Sequence, residues 1–137
     1  MEDILNITII TPEKEFYSGE IVELNTECVE GHIGILPNHV PMITVLKPTI
    51  TVIKDKNGKK LRAFTSNGMM EVDSDNNVKI ACDACEWPDE IDVNRAQEAK
   101  KRAEERLNKK DKDLDVKRAK MALLRAMRRL KIKEINS

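Results

Sequence analysis

At Glu86-Trp87-Pro88-Asp89-Glu90 the apolar periodicity of this chain changes, and no other feature constrains its fold as strongly. Before that point apolar residues alternate over short runs divided by turn-forming residues, the pattern of half-buried strands. Beyond it, small apolar residues recur at three- and four-residue steps, the pattern of helices packed along one face. Pro88 interrupts regular structure and disfavours helix at Trp87, so the pentad reads as a linker. The predicted fold class is α+β: an N-terminal antiparallel β-sandwich over residues 1–86, then a linker and a C-terminal antiparallel two-helix hairpin over 87–137.

Residues 5–10 form an apolar, β-branched run closed by Thr11-Pro12. Residues 21–29 alternate, and residues 48–54 and 61–65 flank Lys56-Asn57-Gly58, a strong hairpin signal. Further turns are predicted at Ser66-Asn67-Gly68 and Asp75-Asn76-Asn77, with a closing strand over 78–82. Many short strands at this spacing imply a sandwich or a flattened barrel. Between them, residues 31–41 carry two glycines and two prolines, which suits an irregular loop with an apolar tip better than a central strand. Such a loop can turn a sandwich corner or form a docking edge; composition alone favours the corner.

The formal net charge of zero argues against a dedicated nucleic-acid binder, yet the two halves differ. Residues 1–88 hold 8 Lys/Arg and 14 Asp/Glu, whereas residues 89–137 hold 16 and 10. Two modules of opposite sign either attract each other or face different partners. The acidic N-terminus has no signal-peptide pattern, and no apolar run approaches the ~20 residues that span a bilayer. A cytoplasmic protein, soluble or peripheral, is expected. Three cysteines fit a reducing compartment. Cys82 and Cys85 form a CxxC without a second pair at zinc spacing, and Cys28, His32 and His39 are only loose candidates to complete one. We expect ordinary thiols at a strand end and no metal.

The helical half begins at IDVNRA, where Asp92 is a good N-cap. One helix is predicted over 92–108 with the stripe Ala96, Ala99, Ala103, Leu107. A polar turn over 109–113 leads to a second helix over 115–132, with Val116, Ala119, Leu123, Ala126 and Leu130 on one side. Alanines at facing positions allow close approach and bury little area, so the seam stabilises the pair modestly.

For catalysis the chain offers little: neither histidine has a nucleophile partner, and there is no phosphate-binding Gly-rich loop. The arginines are more telling. Arg95 and Arg102 stand two turns apart on one helix, and Arg125 and Arg129 share a face of the other. In a closed hairpin these four guanidinium groups converge and would hold a triphosphate through bidentate contacts. Asp92 can orient Arg95, and Glu86 can accept a hydrogen bond from a base or ribose. The same spacing also describes a solvated basic face with pairs such as Glu98 and Arg102, and spacing alone favours that. One Trp, one Tyr and two Phe are too few for a base-stacking platform, and an alanine stripe is a poor membrane anchor. The residues also leave open a β-sandwich adaptor whose basic hairpin binds RNA or another acidic partner.

GHIGILPNHVPM resembles the G-x-x-G-[IV]-x-P-x-H-x-P pattern of the epsilon subunit family of bacterial F-type ATP synthases, although His32 stands where an acidic residue is usual. IDVNRA resembles that family's [IL]-D-x-x-R-A motif, and the order of sandwich and hairpin is similar over nearly the whole chain. The resemblance implies a non-catalytic central-stalk subunit that couples ion-driven rotation to ATP synthesis and inhibits ATP hydrolysis when its hairpin extends. It implies contact with the gamma subunit and the membrane rotor ring through Gly31, His32, Gly34, Pro37, His39, Pro41 and Met42, and with the alpha/beta catalytic head through the extended hairpin. That replaces the mere corner by a docking edge. It further implies ATP as a regulatory ligand held by Glu86, Ile91, Asp92, Arg95, Ala96, Arg102, Arg125 and Arg129, with no obligatory cofactor and the role of magnesium open. The implied location is the cytoplasmic face of the plasma membrane, peripherally and within the complex, without nucleic acid and without direct membrane insertion.

Overall fold

Strand β1 (Leu5–Ile10) follows its period: Leu5, Ile7 and Ile9 are buried while Asn6 and Ile10 face outwards. In the computed structural model, which describes residues 3–109 and 113–136, eight further strands follow. They are β2 (Glu15–Cys28), β3 (Gly31–Ile35), β4 (Met42–Leu46), β5 (Thr49–Asp55), β6 (Lys60–Thr65), β7 (Gly68–Val72), β8 (Asn77–Cys82) and the two-residue β9 (Cys85–Glu86). The strand order is β1-β8-β7-β4-β2-β5-β6-β9, with β3 on β2 and an additional β1–β2 pairing that folds the sheet back on itself. The β1–β8 ladder is parallel; those of β2 with β1, β3 and β5, of β4 with β7, of β5 with β6 and of β7 with β8 are antiparallel. Leu5, Ile7, Ile9, Leu24, Ile53, Phe64, Met70 and Ile80 fill the core between the inward faces.

Two corrections to the expected strands have local causes. Residues 31–35 form strand β3, not an irregular loop, because β3 lies off the main path of the sheet and pairs with β2 alone, where glycine is tolerated. Gly31 adopts φ 129, a conformation that disfavours a side chain, and Gly34 stands opposite Asn25, whose Oδ1 would lie 3.1 Å from an added Cβ. The irregular segment is therefore only residues 36–41. Strand β2 also begins earlier than expected and carries a register shift between Ile21 and Glu23. That bulge carries the buried face from Ile21 to Leu24, Thr26 and Cys28, which strict alternation does not foresee.

Turn chemistry accounts for the tight connections. Asp55 Oδ1 accepts the backbone N–H groups of Asn57 and Lys59, both at 2.9 Å, and Gly58 takes the left-handed conformation the turn requires. Asp73 does the same at the β7–β8 turn, accepting from Asp75 and Asn77 at 2.8 and 2.9 Å. In the core a run of hydroxyls, Thr26–Thr51–Thr65, links β2, β5 and β6 at 2.9 and 2.7 Å, so these buried polar groups satisfy one another.

Packing divides the chain into residues 1–85 and 86–137. The second unit opens at Glu86 and passes through a single 3-10 turn, Pro88–Glu90, so the expected linker has regular structure. Helix α1 (Val93–Lys109) and helix α2 (Asp113–Asn136) follow. The centre of the expected polar turn, residues 110–112, lies outside the described residues. Ala96, Ala103, Ala119 and Ala126 are buried in the hairpin, with Ile132, whereas Ala99, Leu107, Val116, Leu123 and Leu130 are only half-buried.

Candidate functional site

The start of α1 is built by Asp92: its carboxylate accepts the Arg95 N–H at 3.1 Å and its carbonyl accepts that of Ala96 at 3.0 Å. Arg95 lines a cleft of about 460 Å³ between the helices. Helix α1 contributes Arg95, Ala96, Ala99, Arg102, Ala103 and Arg106 to its lining, and α2 contributes Ala122, Arg125 and Arg129. Glu86, Glu90 and Asp92 complete it. Small side chains on the inner face leave the room that the arginines surround.

The cleft is strongly basic, with five arginines against three carboxylates, and the carboxylates are already engaged. Arg129 Nε donates to Glu86 Oε1 at 2.7 Å, with both side chains about two-thirds or more buried at 24% and 31% exposure. Glu90 accepts the Trp87 N–H at 2.8 Å, and Asp92 serves the helix cap. Among the described residues, the guanidinium groups of Arg95, Arg102 and Arg106 make no hydrogen bond or ion pair. Arg102 and Arg106 are four residues apart, where like charges cost a helix roughly 0.2–0.5 kcal/mol. A polyanion in the cleft would remove that repulsion and gain charge-assisted hydrogen bonds from several directions.

The structure thus brings Glu86, Asp92, Arg95, Ala96, Arg102, Arg125 and Arg129 around one space. Ile91 is buried at the end of the 3-10 turn and does not line it. The expected set lacked Glu90, Ala99, Ala103, Arg106 and Ala122, which also line the cleft. Arg106 was detectable, since it follows Arg102 by one turn on the same face.

The second expected set runs from β3 to the start of β4. Gly31, His32 and Gly34 are on β3; Pro37, His39 and Pro41 are in the irregular segment; Met42 opens β4. His39 Nδ1 lies 2.7 Å from the Val40 carbonyl, which requires the proton on Nδ1, and its backbone N–H donates to Leu36 O at 3.2 Å. The Asn38 N–H donates to Asn76 Oδ1 at 2.7 Å, which ties this segment to the β7–β8 turn. Leu36 and Val40 remain exposed at its tip, the latter at 70%.

A further apolar surface was not foreseen. Ile10, Ile43, Val45 and Met69 are exposed on β1, β4 and β7, and Ile10, Ile43 and Met69 border a shallow hollow of about 480 Å³ with Thr8 and Lys79. The signal was the run Met42-Ile43-Thr44-Val45-Leu46, apolar on both faces of a strand in a sheet expected to be wet on one. Cys82 and Cys85 are buried, and the hydrogen bond that the Cys82 thiol makes to Cys85, followed by burial, pushes the Cys82 thiol up, away from the reactive thiolate. Among the described residues no cluster of three or more His, Cys, Asp or Glu could hold a metal ion, and no helix is long and apolar enough to cross a membrane.

Comparison with known proteins gives matches over both units. Residues 4–88 match the family model of the ATP synthase delta/epsilon chain β-sandwich domain, and residues 89–134 that of its long α-helix domain. The ATP synthase epsilon chain of Clostridium kluyveri is 55% identical over 132 residues, covering 96% of this chain and 98% of the relative. That of Clostridium botulinum strain Okra is 56% identical over 135 residues, covering 98% and 100%. In structure, the chain is similar to one in the Euglena gracilis mitochondrial ATP synthase, with a TM-score of 0.81 and 18% identity over 99% of this chain and 82% of that one. A chain of the Tetrahymena thermophila mitochondrial ATP synthase central stalk matches at a TM-score of 0.52 and 22% identity, over 63% of this chain and 68% of that one. At such identities the structural matches speak for the fold alone. These matches give no support to a free-standing adaptor that binds RNA.

Proposed function

Because this chain belongs to the ATP synthase delta/epsilon chain family, and is thereby a non-catalytic subunit of the rotary ATP synthase, we propose that its two units divide the work of docking and of regulation. The sandwich joins the central stalk. Its exposed apolar face around Ile43 and Met69 seats on the gamma subunit, and the edge from Gly31 to Met42 meets the membrane rotor ring. The hairpin is a two-state element that binds ATP when closed and reaches the alpha/beta head when open, where it opposes ATP hydrolysis. The subunit then acts peripherally at the cytoplasmic face of the plasma membrane, as part of the complex.

One observation carries the regulatory half: five arginines surround a cleft whose carboxylates are committed elsewhere and whose walls are alanine. A triphosphate would meet the guanidinium groups of Arg95, Arg102 and Arg106, which make no hydrogen bond or ion pair among the described residues. Ligand at ten times its Kd stabilises the closed state by about 1.4 kcal/mol. That suffices to switch a hairpin held by a thin seam.

Titrating ATP into the full chain tests the assignment, with Arg125→Ala and Arg129→Ala beside it. Saturable binding that survives unchanged in both variants would sink it. For the inhibitory role, removal of residues 89–137 should raise ATP hydrolysis by the reassembled enzyme, and an unaltered rate rejects that role. For docking, Ile43→Glu should abolish co-purification with the gamma subunit; retention would place the contact on another face.

A further inference from the structure

We propose that Lys133 is a latch: its ammonium group fastens the end of α2 to the segment by which the chain enters the hairpin, and so adds to the alanine seam in holding the hairpin closed. The inference rests on the two-state reading above and identifies what keeps one of the two states in place.

Lys133 Nζ donates to the Pro88 carbonyl oxygen at 3.0 Å, although the two residues stand 45 apart in the chain. A lysine in the last turn of a helix can satisfy the final carbonyls of that same helix. Lys133, in the last turn of α2, crosses to the 3-10 turn instead. The Pro88 carbonyl also accepts the Ile91 N–H, at a long 3.3 Å, and its second lone pair serves the lysine. One turn before Lys133 on the same face of α2, Arg129 donates to Glu86 Oε1 at 2.7 Å. Two cations thus grip two positions of the entry segment. The 3-10 turn packs against α2, and Ile91 and Ile132 are both buried.

The two grips differ in what else they serve. Arg129 lines the cleft, so a ligand there competes with Glu86 for it. Lys133 does not line the cleft, and no ligand has to displace it. Its contact belongs to the closed state alone. With the hairpin extended, the 17 residues of α1 carry α2 about 25 Å from the entry segment. A contact made in one state only shifts the equilibrium by its whole free energy.

Amide hydrogen exchange of the full-length chain tests the latch, on wild type, Lys133→Met, Lys133→Arg and Lys131→Met. Methionine keeps an unbranched stem and helix propensity and removes the donor. Lys133→Met should lower protection along both α1 and α2 about tenfold, the scale of one charge-assisted hydrogen bond. Lys133→Arg keeps a charged donor and should recover part of that loss. Lys131 is exposed, and Lys131→Met, which removes the same charge from the same helix, should stay within about twofold of wild type. A fall confined to the last turn of α2 overturns the proposal, because it reports fraying of one helix end. Unchanged protection in Lys133→Met overturns it as well, and so does an equal loss in Lys131→Met. ATP hydrolysis by the reassembled enzyme separates the latch from the role proposed for the open hairpin. Lys133→Met should lower hydrolysis; an unaltered rate beside lowered protection upholds the latch and rejects the inhibitory role.

Discussion

Replacing Ala126 with leucine should open the helical hairpin without removing one charge from the cleft. Ala126 is 1% exposed, and with Ala96, Ala103 and Ala119 it lets α1 and α2 approach closely. Leucine and alanine are both strong helix formers, so the substitution leaves each helix intact and acts on their contact. Three added carbons have no space in that seam. Overpacking of this kind costs about 1–3 kcal/mol. Parting the helices instead would expose the remaining alanine methyls at about 0.8 kcal/mol each, a cost of the same order. A shift of 1–3 kcal/mol lowers the closed-to-open ratio roughly 5- to 150-fold. Amide hydrogen exchange reads this directly: protection along α1 and α2 should fall by that factor, while amides of β1, β5 and β8 keep theirs. If helical protection stays within about twofold of wild type, the alanine seam is not what holds the hairpin closed, and the two-state element loses its physical basis.

Other expectations follow from single contacts. Arg129→Ala removes a 2.7 Å, partly buried ion pair with Glu86 and should cost the hairpin about 1–2 kcal/mol; a double-mutant cycle with Glu86→Gln measures the coupling, and a value near zero would refute it. Gly68→Ala should destabilise the sandwich by about 1–3 kcal/mol, because an added Cβ overlaps the Ala81 carbonyl oxygen and lies 2.9 Å from Cys82 Cα; an unchanged denaturation midpoint would show that β8 can retreat. The Asp73 carboxyl is held below its ordinary 3.8, chiefly by the Asn77 side-chain hydrogen bond. It therefore stabilises the folded state above that ordinary value and loses the contribution as pH falls through the depressed one. Asp73→Asn should flatten that part of the acid titration, and an identical acid limb would rule Asp73 out.

The strands that could be read in advance are those with strict alternation or strong turns, such as β1 and the β5–β6 hairpin around Asn57-Gly58. Those that could not owe their form to neighbours. Nothing local predicts that β2 shifts its buried face between Ile21 and Leu24, since a bulge is set by the ladders on either side. Nor does local sequence reveal that Gly31–Ile35 pairs with β2, because tolerance of glycine there follows from its place off the main path of the sheet. The threonine run across β2, β5 and β6 is similarly invisible: three scattered hydroxyls become partners only through strand register.

For the cleft the division is sharper. Sequence by itself determined which arginines share a helical face, that Asp92 caps α1, and that the inner face is alanine, because each follows from a spacing of three, four or seven along one helix. Tertiary structure alone decided that Arg129 is bound to Glu86 while Arg95, Arg102 and Arg106 are not, that Ile91 is buried and does not line the cleft, and that Ala122 of the second helix lines it beside the arginines. Those facts depend on how far one helix is slid along the other. Periodicity specifies a face, and only packing specifies what that face meets.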